Sequence, residues 1–416
     1  MTSSYLGRLG CDRCGLVVDE RHAFAGCPAC VAQGVGANLH PLYDLGRVAP
    51  WSPSGTGTGL FRWAPLLPFG DRVQPVTIGE GDTPLIHTRR LGESLGIPGL
   101  YVKDESRNPT WSYKDRLAAV AVTKAVEHRA EAIVVATTGN HGAAAAAYAA
   151  AAGLRCVALT LASVPLTMKV LMQAYGAEVV ALTSGPDRWS LMREAVAEQG
   201  WVPLSGYREP PVGSNPFGID GYKTIAYEIH EDLGVVPDVV VVPTAYADGL
   251  TGILRGFDDL VALGIAETVP RMVAAEPLGP YEATLAAGAD TSVRVAVHPS
   301  VAFSTATPVA TYQGLRALRT SGGVARTVGE DADIIEAQLA TARTEGLYLE
   351  AAAAVCVTVI AGLRKDGLVD ADDTVVIVGT SSGLKDIDAT NACLPDVPVI
   401  EPTLDALFSA LEASRR

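Results

Sequence analysis

Apolar and polar segments alternate along residues 100–378, and their lengths indicate strands and helices in turn. Apolar runs of four to six residues predict strands at 100–104, 132–136, 156–161, 178–183, 239–242, 271–276 and 374–378. Longer segments predict helices at 117–125, 143–152, 164–175 and 189–198. Strands separated by helices of this length are typical of βαβ units, so we expect an α/β fold with parallel sheets.

Composition narrows the class of protein. The 416-residue chain is 48% hydrophobic and 19% charged, which is typical of a compact enzyme of two or three domains. Its net charge of -14 argues against a nucleic-acid or anionic-membrane partner. No apolar run reaches the roughly 18 to 20 residues of a membrane span, and no secretory signal is visible. We therefore expect a cytoplasmic protein, and the odd number of cysteines favours the same reducing compartment.

Four of the seven cysteines form two Cys-x-x-Cys pairs separated by twelve residues: Cys11, Cys14, Cys27 and Cys30. This spacing is close to that of a zinc ribbon, in which four thiolates hold one tetrahedral metal ion. Such a zinc ion would be structural, because four thiolates leave no open coordination position. The alternative is a degenerate ribbon without metal. The segment 31–75 is rich in Gly, Pro, Trp and Ser, and indicates a linker or wrapping arm.

The stretch NPTWSYKDR at residues 108–116 contains a candidate nucleophile. Asn-Pro-Thr favours a turn, Ser112 is a favourable N-cap, and the apolar run from Leu117 predicts a helix. Lys114 then lies in the first turn of that helix, where the helix dipole disfavours a cation. The ordinary alternative is an exposed surface lysine. Ser, Tyr, Lys and Asp together at a loop–helix junction favour a nucleophilic amine instead.

A second polar turn follows the predicted strand at 132–136. Residues 137–142 are TTGNHG and precede a helix that is almost pure alanine. Small side chains let such a helix approach a sheet closely, and its first N–H groups are free to bind an anion. Taken alone, the turn is equally compatible with an ordinary strand–helix connection.

Five motifs in order resemble those of threonine synthases, within the fold-type II group of pyridoxal-phosphate (PLP) enzymes. They are GEGDTPL (79–85), NPTWSYKDR (108–116), TTGNHG (137–142), NPFGIDGYKT (215–224) and GTSSGLKD (379–386). The resemblance runs from about residue 77 to 390, and some family members also carry an N-terminal cysteine ribbon. It implies two open, twisted, mostly parallel sheets with flanking helices, PLP as cofactor, and a homodimer.

The resemblance also implies a division of the chain. We expect a zinc-ribbon-like segment at 1–45, and a large PLP-binding domain made from 46–105 and 225–400. Residues 106–224 would form a small domain that carries the lysine and the loop for the substrate carboxylate. A C-terminal helix or tail would occupy 401–416.

The same resemblance implies roles for individual residues. Lys114 would form a Schiff base with PLP and then move protons at the substrate Cα and Cβ. Asn140 would hydrogen-bond the ring hydroxyl. Thr380 would face the pyridine nitrogen, where a neutral hydroxyl suits elimination and replacement better than transamination. The substrate would be bound by Thr137, Thr138, Gly139, Asn140, His141 and Trp111. The cofactor phosphate would be bound by Thr244, Ala245, Tyr246, Ala247, Asp248 and Gly249.

Several positions depart from the family pattern. Asp248 would repel the cofactor phosphate unless its side chain turns away as a helix cap. Gly218 stands where threonine synthases commonly carry an arginine, which would hold the phosphate of O-phosphohomoserine. Trp111 replaces a glycine, and it would either reshape the substrate pocket or fill a gap in the core. Ser381 and Ser382 replace a Gly-His pair.

The function implied is that of a PLP-dependent lyase acting on a small L-amino acid with a β or γ leaving group. Formation of threonine and phosphate from O-phosphohomoserine is the leading reaction. The missing arginine and the GNHG turn favour, as alternatives, a serine/threonine dehydratase-like ammonia-lyase or a cysteate synthase-like β-replacement on a serine-type substrate. A non-catalytic paralogue with an interaction ribbon is a further alternative, against which Lys114, Asn140 and Thr380 argue.

Overall fold

The α/β fold expected from the sequence is confirmed. A computed structural model describes residues 3–48, 58–70 and 74–413. Parts of the predicted linker, at 49–57 and 71–73, lie outside the described residues, as do the last three residues of the predicted C-terminal segment. Two open sheets, of six and four strands, follow a small N-terminal sheet. The division into domains stays a prediction.

The N-terminal unit is a three-stranded antiparallel sheet with strand order β2–β1–β3. Its elements are β1 (Tyr5–Gly10), β2 (Val17–Asp19), a short helix α1 (Pro28–Val31) and β3 (His40–Tyr43). Further 3-10 turns lie at Glu20–Ala25, Leu45–Arg47 and Leu60–Leu66. The rings of Tyr5 and Phe24 in this unit each form a T-shaped contact with the ring of Phe217, so the unit packs on the rest of the protein.

The remaining strands alternate with helices as the apolar pattern predicts. The strands are β4 (Leu85–His87), β5 (Leu100–Asp104), β6 (Ala132–Ala136), β7 (Arg155–Leu161), β8 (Glu178–Leu182), β9 (Val202–Pro203), β10 (Val239–Pro243), β11 (Arg271–Glu276), β12 (Val324–Thr327) and β13 (Val375–Gly379). The longer helices are α2 (Arg89–Leu95), α3 (Lys114–Glu127), α4 (Asn140–Ala152), α5 (Leu166–Ala174), α6 (Gly185–Gln199), α8 (Lys223–Leu233), α9 (Asp248–Ala262), α10 (Pro280–Ala286), α11 (Tyr312–Thr320), α12 (Asp331–Glu345), α13 (Ala351–Lys365) and α15 (Leu404–Ala413). Short helices are α7 (Pro216–Ile219) and α14 (Asp388–Asn391), with 3-10 turns at Glu105–Arg107, Asp220–Tyr222 and Gly383–Lys385.

The two large sheets have different strand orders. The six-stranded sheet runs β12–β11–β10–β13–β5–β4 and is parallel except for β4, which pairs antiparallel with β5. The four-stranded sheet runs β8–β7–β6–β9 and is parallel throughout. Gly379 at the end of β13 pairs with Asp104 at the end of β5. The segments that follow these two strands therefore start side by side, at the edge where open α/β sheets bind ligands.

Helix α3 lies in the interior. Every residue from Asp115 to Ala125 is buried, whereas the first residue of the helix, Lys114, is only half-buried. Helix α4 packs beside α3, and its alanines from Ala143 to Ala149 are buried. Small side chains allow the two helices to pack this closely. Helix α3 is thus held in the core, and only its first residues, at Lys114, reach a cavity. None of the described helices is both long and apolar enough to cross a bilayer.

Candidate active site

Lys114 is the point at which α3 reaches a cavity. The residues before it pair with those that follow β13, and the N–H of Tyr113 donates to the carbonyl of Thr380 at 2.9 Å. The Lys114 Nζ lies 4.8 Å from the ring centroid of Tyr113 and 5.7 Å from that of Tyr222. These contacts place the amine at the wall of a cavity of about 160 Å³.

The turn between β6 and α4 presents polar groups to the same cavity. Thr137 Oγ1 accepts hydrogen bonds from the N–H groups of Gly139 and Gly142, at 2.9 Å each. Gly139 has a φ of +151°, a conformation that favours glycine. The cavity-lining residues of this turn are Thr137, Thr138, Asn140 and His141. The turn therefore brings a hydroxyl, an amide, an imidazole and a helix N-terminus to the region of Lys114.

His141 is neutral in this setting. Burial disfavours the charged ring, and the nearby Lys114 ammonium adds to this, so the pKa of His141 lies well below its usual value. Its Nε2 atom is buried and has no hydrogen-bond partner among the described residues. The imidazole can therefore donate one hydrogen bond and accept another without adding a second positive charge.

A row of uncommitted N–H groups faces the lysine from the loop after β10. Ala247 adopts a left-handed conformation with a φ of +61°, and α9 begins at the next residue. Residues 245–249 line the cavity. Their N–H groups, with that of Leu250, donate to no acceptor in the described part of the chain. Such a nest at a helix N-terminus suits an anion.

The side chain of Asp248 is turned away from this row, but it does not cap α9 as expected. Its carboxylate accepts hydrogen bonds from the N–H and hydroxyl of Ser214, at 3.0 and 2.6 Å. The Gln313 Nε2 donates to it at 2.8 Å. Three donors therefore hold the negative charge, and it does not take up the N–H groups that face the cavity.

Sequence reasoning missed two charged residues behind Asn140. The Asn140 Oδ1 accepts from Lys385 Nζ at 2.7 Å, and Asn140 Nδ2 donates to Glu350 Oε2 at 2.7 Å. Glu350 lines the cavity with Ser304 and Thr305. Lys385 lies within the motif GTSSGLKD, which could have singled it out. No pattern marks Glu350, which only precedes α13.

Two further residues at the cavity come from α6, which the sequence identified only as a helix. Trp189 lines the cavity and its ring lies 5.6 Å from that of Tyr246 in the loop after β10. The neighbouring Arg188 donates from Nη1 to the carbonyl of Thr137 at 2.7 Å. Helix α6 thus contacts the loop after β10 and the turn after β6 beside the cavity.

The structure gathers most of the predicted site residues around this one cavity. Those lining it are Lys114, Thr137, Thr138, Asn140, His141, Ala245, Tyr246, Ala247, Asp248, Gly249 and Thr380. Thr244 and Gly139 adjoin it in their loops. Trp111 lies elsewhere: its side chain is 47% exposed and lines a separate cavity with Tyr348 and Leu384. The indole lies neither at the lysine cavity nor in the core.

Gly218 lies where α7 meets α3. A Cβ at this position would be 2.9 Å from both the Cγ and the carbonyl oxygen of Leu117, and 3.1 Å from the Cβ of Ala121. Real Cβ atoms almost never approach so closely. The packing of these helices therefore leaves no room here for an arginine.

The four N-terminal cysteines lie together. Cys11 and Cys14 lie in the β1–β2 turn, and Cys27 and Cys30 lie at α1. Their Sγ atoms are all within 4.8 Å of one another, with 3.7 Å between Cys11 and Cys30 and 3.5 Å between Cys14 and Cys27. Tetrahedral zinc with Zn–S bonds of about 2.3 Å would require sulfur separations of roughly 3.8 Å. The donor set fits one such ion.

The groups around the lysine cavity fit PLP. A primary amine can bind its aldehyde carbon, and the uncommitted N–H row matches its phosphate. The Asn140 amide and the Thr380 hydroxyl, which has no hydrogen-bond partner among the described residues, can meet the polar atoms of the ring. The fold and this cavity define a PLP-dependent enzyme of fold type II.

Comparison with known proteins gives the family. The chain belongs to the pyridoxal-phosphate dependent enzyme family, which matches it over residues 76–381. A threonine synthase of Methanocaldococcus jannaschii is 33% identical over 97% of this chain and 98% of its own length. A threonine synthase of Methanosarcina acetivorans is 36% identical over 85% of this chain and 86% of its own. The resemblance to threonine synthases is thereby confirmed.

Solved structures show the same fold. Maize serine racemase superimposes with a TM-score of 0.64 at 18% identity, covering 80% of this chain and 94% of its own. Diaminopropionate ammonia lyase from Escherichia coli gives a TM-score of 0.65 at 18% identity, covering 76% and 88%. At these identities the likeness concerns the fold alone.

Proposed function

We propose that the protein is a PLP-dependent lyase acting on a small L-amino acid, and that its leading reaction converts O-phosphohomoserine to threonine and phosphate. The observation that carries this proposal is a single cavity that places the Lys114 amine with an uncommitted row of N–H groups at 245–250. Kinship to threonine synthases over nearly the whole chain supports the named reaction.

Each residue of the cavity has a task in this proposal. Lys114 holds the cofactor through its amine and, once released, removes and returns protons at the substrate Cα and Cβ. The N–H row at 245–250 binds the cofactor phosphate. The turn at 137–141 binds the substrate carboxylate through hydroxyl and N–H donors. When bound, PLP supplies an electron sink for the carbanion at Cα.

Asn140 and Thr380 orient the ring of the cofactor. Asn140 binds the ring hydroxyl through Nδ2. Thr380 would place a neutral hydroxyl at the ring nitrogen, where a carboxylate would instead keep that nitrogen protonated. These features suit elimination and replacement.

The first test is spectroscopic. Purified protein mixed with PLP and freed of excess should show the visible absorbance band of lysine-bound cofactor, with about one cofactor per chain. Lys114→Ala should abolish the band, while Lys365→Ala, at the exposed end of α13, should leave it unchanged. A colourless wild-type protein in which Lys114→Ala also changes nothing would refute the enzyme and favour the non-catalytic paralogue. A visible band that persists unchanged in Lys114→Ala would refute the role of Lys114 alone.

A second candidate function is β-elimination or β-replacement on a serine-type substrate. The specific observation in its favour is the closed packing at Gly218, which leaves no room for the arginine expected to hold a substrate phosphate. Release of phosphate, ammonia and 2-oxo acid should be measured with O-phosphohomoserine, phosphoserine, serine and threonine. Efficient phosphate release and threonine formation from O-phosphohomoserine decide for the first function; ammonia and 2-oxo acid from serine or threonine decide for the second.

We also propose that one structural zinc ion binds Cys11, Cys14, Cys27 and Cys30. The mutual approach of the four sulfur atoms supports this. Elemental analysis of freshly purified protein should give about one zinc per chain. The Cys14→Ser and Cys27→Ser variants should lose it, whereas Cys393→Ser, on an exposed surface, should retain it.

The state of the protein in the cell completes the proposal: a cytoplasmic homodimer. Helix α15 has no buried residue and exposes Leu404, Leu407, Phe408 and Leu411, which supports association of two copies. Light scattering should give twice the 43.3 kDa chain mass. A monomer across the working concentration range would contradict it.

A further inference from the structure

A buried ammonium group lies behind Asn140. Lys385 is 1% exposed, and its Nζ donates to Asn140 Oδ1 at 2.7 Å. Among the described residues it forms no ion pair within 4 Å. The nearest charges that act on it are Glu350 and Asp115. Burying a cation with so few partners costs free energy of folding, which indicates that Lys385 has a functional role.

The ammonium determines which way the Asn140 amide points. Lys385 only donates hydrogen bonds, and Glu350 as a carboxylate only accepts them. The Asn140 Oδ1 therefore faces Lys385, and Nδ2 faces Glu350 Oε2 at 2.7 Å. Rotating the amide by 180° would set its NH2 group against the ammonium and its oxygen against the carboxylate. The two charges thus lock one orientation.

Locking the amide leaves one donor free. Nδ2 carries two hydrogens, of which Glu350 takes one. Ser381 Oγ adds a weak contact to Asn140 Oδ1 at 3.4 Å, and Ser304 Oγ donates to Glu350 Oε1 at 3.3 Å. The second Nδ2 hydrogen is held ready for an acceptor in the cavity that Asn140 and Glu350 both line.

We propose that Lys385 is a positioning residue for the cofactor: it orients Asn140 toward the ring hydroxyl oxygen and favours the ionised form of that oxygen by its positive charge. This inference rests on the proposed function, because it assumes that Asn140 meets the ring hydroxyl of PLP. Burial lowers the pKa of Lys385 to about 8, against the opposing effects of Glu350 and Asp115. The group nevertheless remains largely charged at pH 7.

Two variants separate the charge from the hydrogen bond. Lys385→Met removes both, while Lys385→Gln keeps a donor for Asn140 Oδ1 and removes only the charge. The probe is PLP itself, titrated into the full-length protein at pH 7, with affinity and absorbance spectrum as readouts. Lys365→Met, at an exposed position, is the control.

We expect Lys385→Met to bind PLP about ten- to a hundredfold more weakly, the range for one lost hydrogen bond to a charged group. Both Lys385 variants should shift absorbance from the visible band to the near-ultraviolet band of the un-ionised hydroxyl. Lys385→Gln should retain more affinity than Lys385→Met. If Lys385→Met does not unfold cooperatively, the spectrum of Lys385→Gln decides.

The proposal and its premise can fail separately. A wild-type protein with no visible band refutes both. A wild-type band that disappears in Lys114→Ala, together with unchanged affinity and spectrum in the Lys385 variants, refutes the positioning role alone. A loss of affinity without a change in spectrum also refutes it, because a purely structural role would lower affinity without altering ionisation of the cofactor.

Discussion

The buried arginine behind the active-site lysine gives the sharpest stability prediction. Arg116 is fully buried in α3, two residues from Lys114. Its guanidinium donates to both oxygens of Glu105 at 2.7 and 2.8 Å and to both oxygens of Glu228 at 2.7 Å each. Arg116→Met keeps the volume but leaves these carboxylates buried. Lys103 still pairs with Glu228 at 2.9 Å, whereas no other cation pairs with Glu105 in the described part of the chain.

The expected loss of stability follows from this difference between Glu228, which keeps a cation, and Glu105, which does not. Breaking a buried ion pair by removing one partner costs about 3–5 kcal/mol, chiefly through the charge left behind. Since one carboxylate keeps a cation, we expect one such penalty, not two. The assay is chemical denaturation of the cofactor-free protein, compared as apparent free energies because a multidomain chain need not unfold in one step. The control is Arg155→Met, whose ion pair with Glu178 is exposed on both sides and should contribute little to the free energy of unfolding.

The pH dependence provides a second check. Burial alone would raise the pKa of Glu228, but Arg116 and Lys103 outweigh it and hold the pKa well below its usual value. In the wild type this stabilisation is present above the unfolded pKa of about 4.3 and is lost as the pH falls below it. In Arg116→Met the stranded carboxyls can take up protons, so the deficit should shrink from pH 7 to pH 5. The reasoning would be refuted if Arg116→Met lowered the free energy of unfolding by less than about 1 kcal/mol at pH 7. It would also be refuted if the difference from the wild type grew toward pH 5.

Three further predictions concern the cavity, a buried acid and the ribbon. A Cβ at Gly249 would lie 2.7 Å from Cε2 of Tyr113, so Gly249→Ala should displace the phosphate loop and weaken PLP binding roughly tenfold in a titration. Burial raises the pKa of Glu276 to about 7, so the folded state holds a proton that the unfolded state releases. The free energy of unfolding should therefore fall as the pH rises from 5 to 8. In Glu276→Gln, the unfolding midpoint should depend less on pH over this range. Removing metal with a chelator should lower the unfolding midpoint and the affinity for PLP together, and added zinc should restore both; an unchanged midpoint after verified metal loss would contradict a structural role.

The central strands were predictable because they are buried on both faces, as β10 and β13 show. Three predicted strands, 100–104, 132–136 and 271–276, have the bounds that the structure shows. The helix expected from residue 143 begins at Asn140, because the polar GNH turn forms its first turn instead of preceding it. Strands β4, β9 and β12 have two to four residues and were not predicted. Such short strands depend on pairing with a neighbour and carry little periodicity of their own.

The residues of the cavity were predictable where a sequence motif determines the local backbone conformation. They were less predictable where the contacting side chains are far apart in sequence. Lys114, the GNHG turn and the loop after β10 are local features. Glu350 lies 210 positions from Asn140, and nothing in its own segment reveals the contact. Trp111 illustrates the opposite failure: its place in the motif suggested either pocket or core, but a φ of +61° directs it to a separate, exposed cavity. Asp248 could be interpreted only once Ser214 and Gln313 were seen to hold it.

The ribbon is joined to the active site through a short chain of hydrogen bonds. Asn38, between Cys30 and β3, donates from Nδ2 to the carbonyl of Ser214 at 3.0 Å. Ser214 in turn donates twice to Asp248, the first residue of α9. Asp248 lies within residues 245–250, which provide the N–H row proposed to bind the cofactor phosphate. An independent interaction module would not need hydrogen bonds to the cofactor-phosphate loop. The contacts therefore favour a ribbon that braces the loop after β10, and they argue against the non-catalytic paralogue in which the ribbon carries the function.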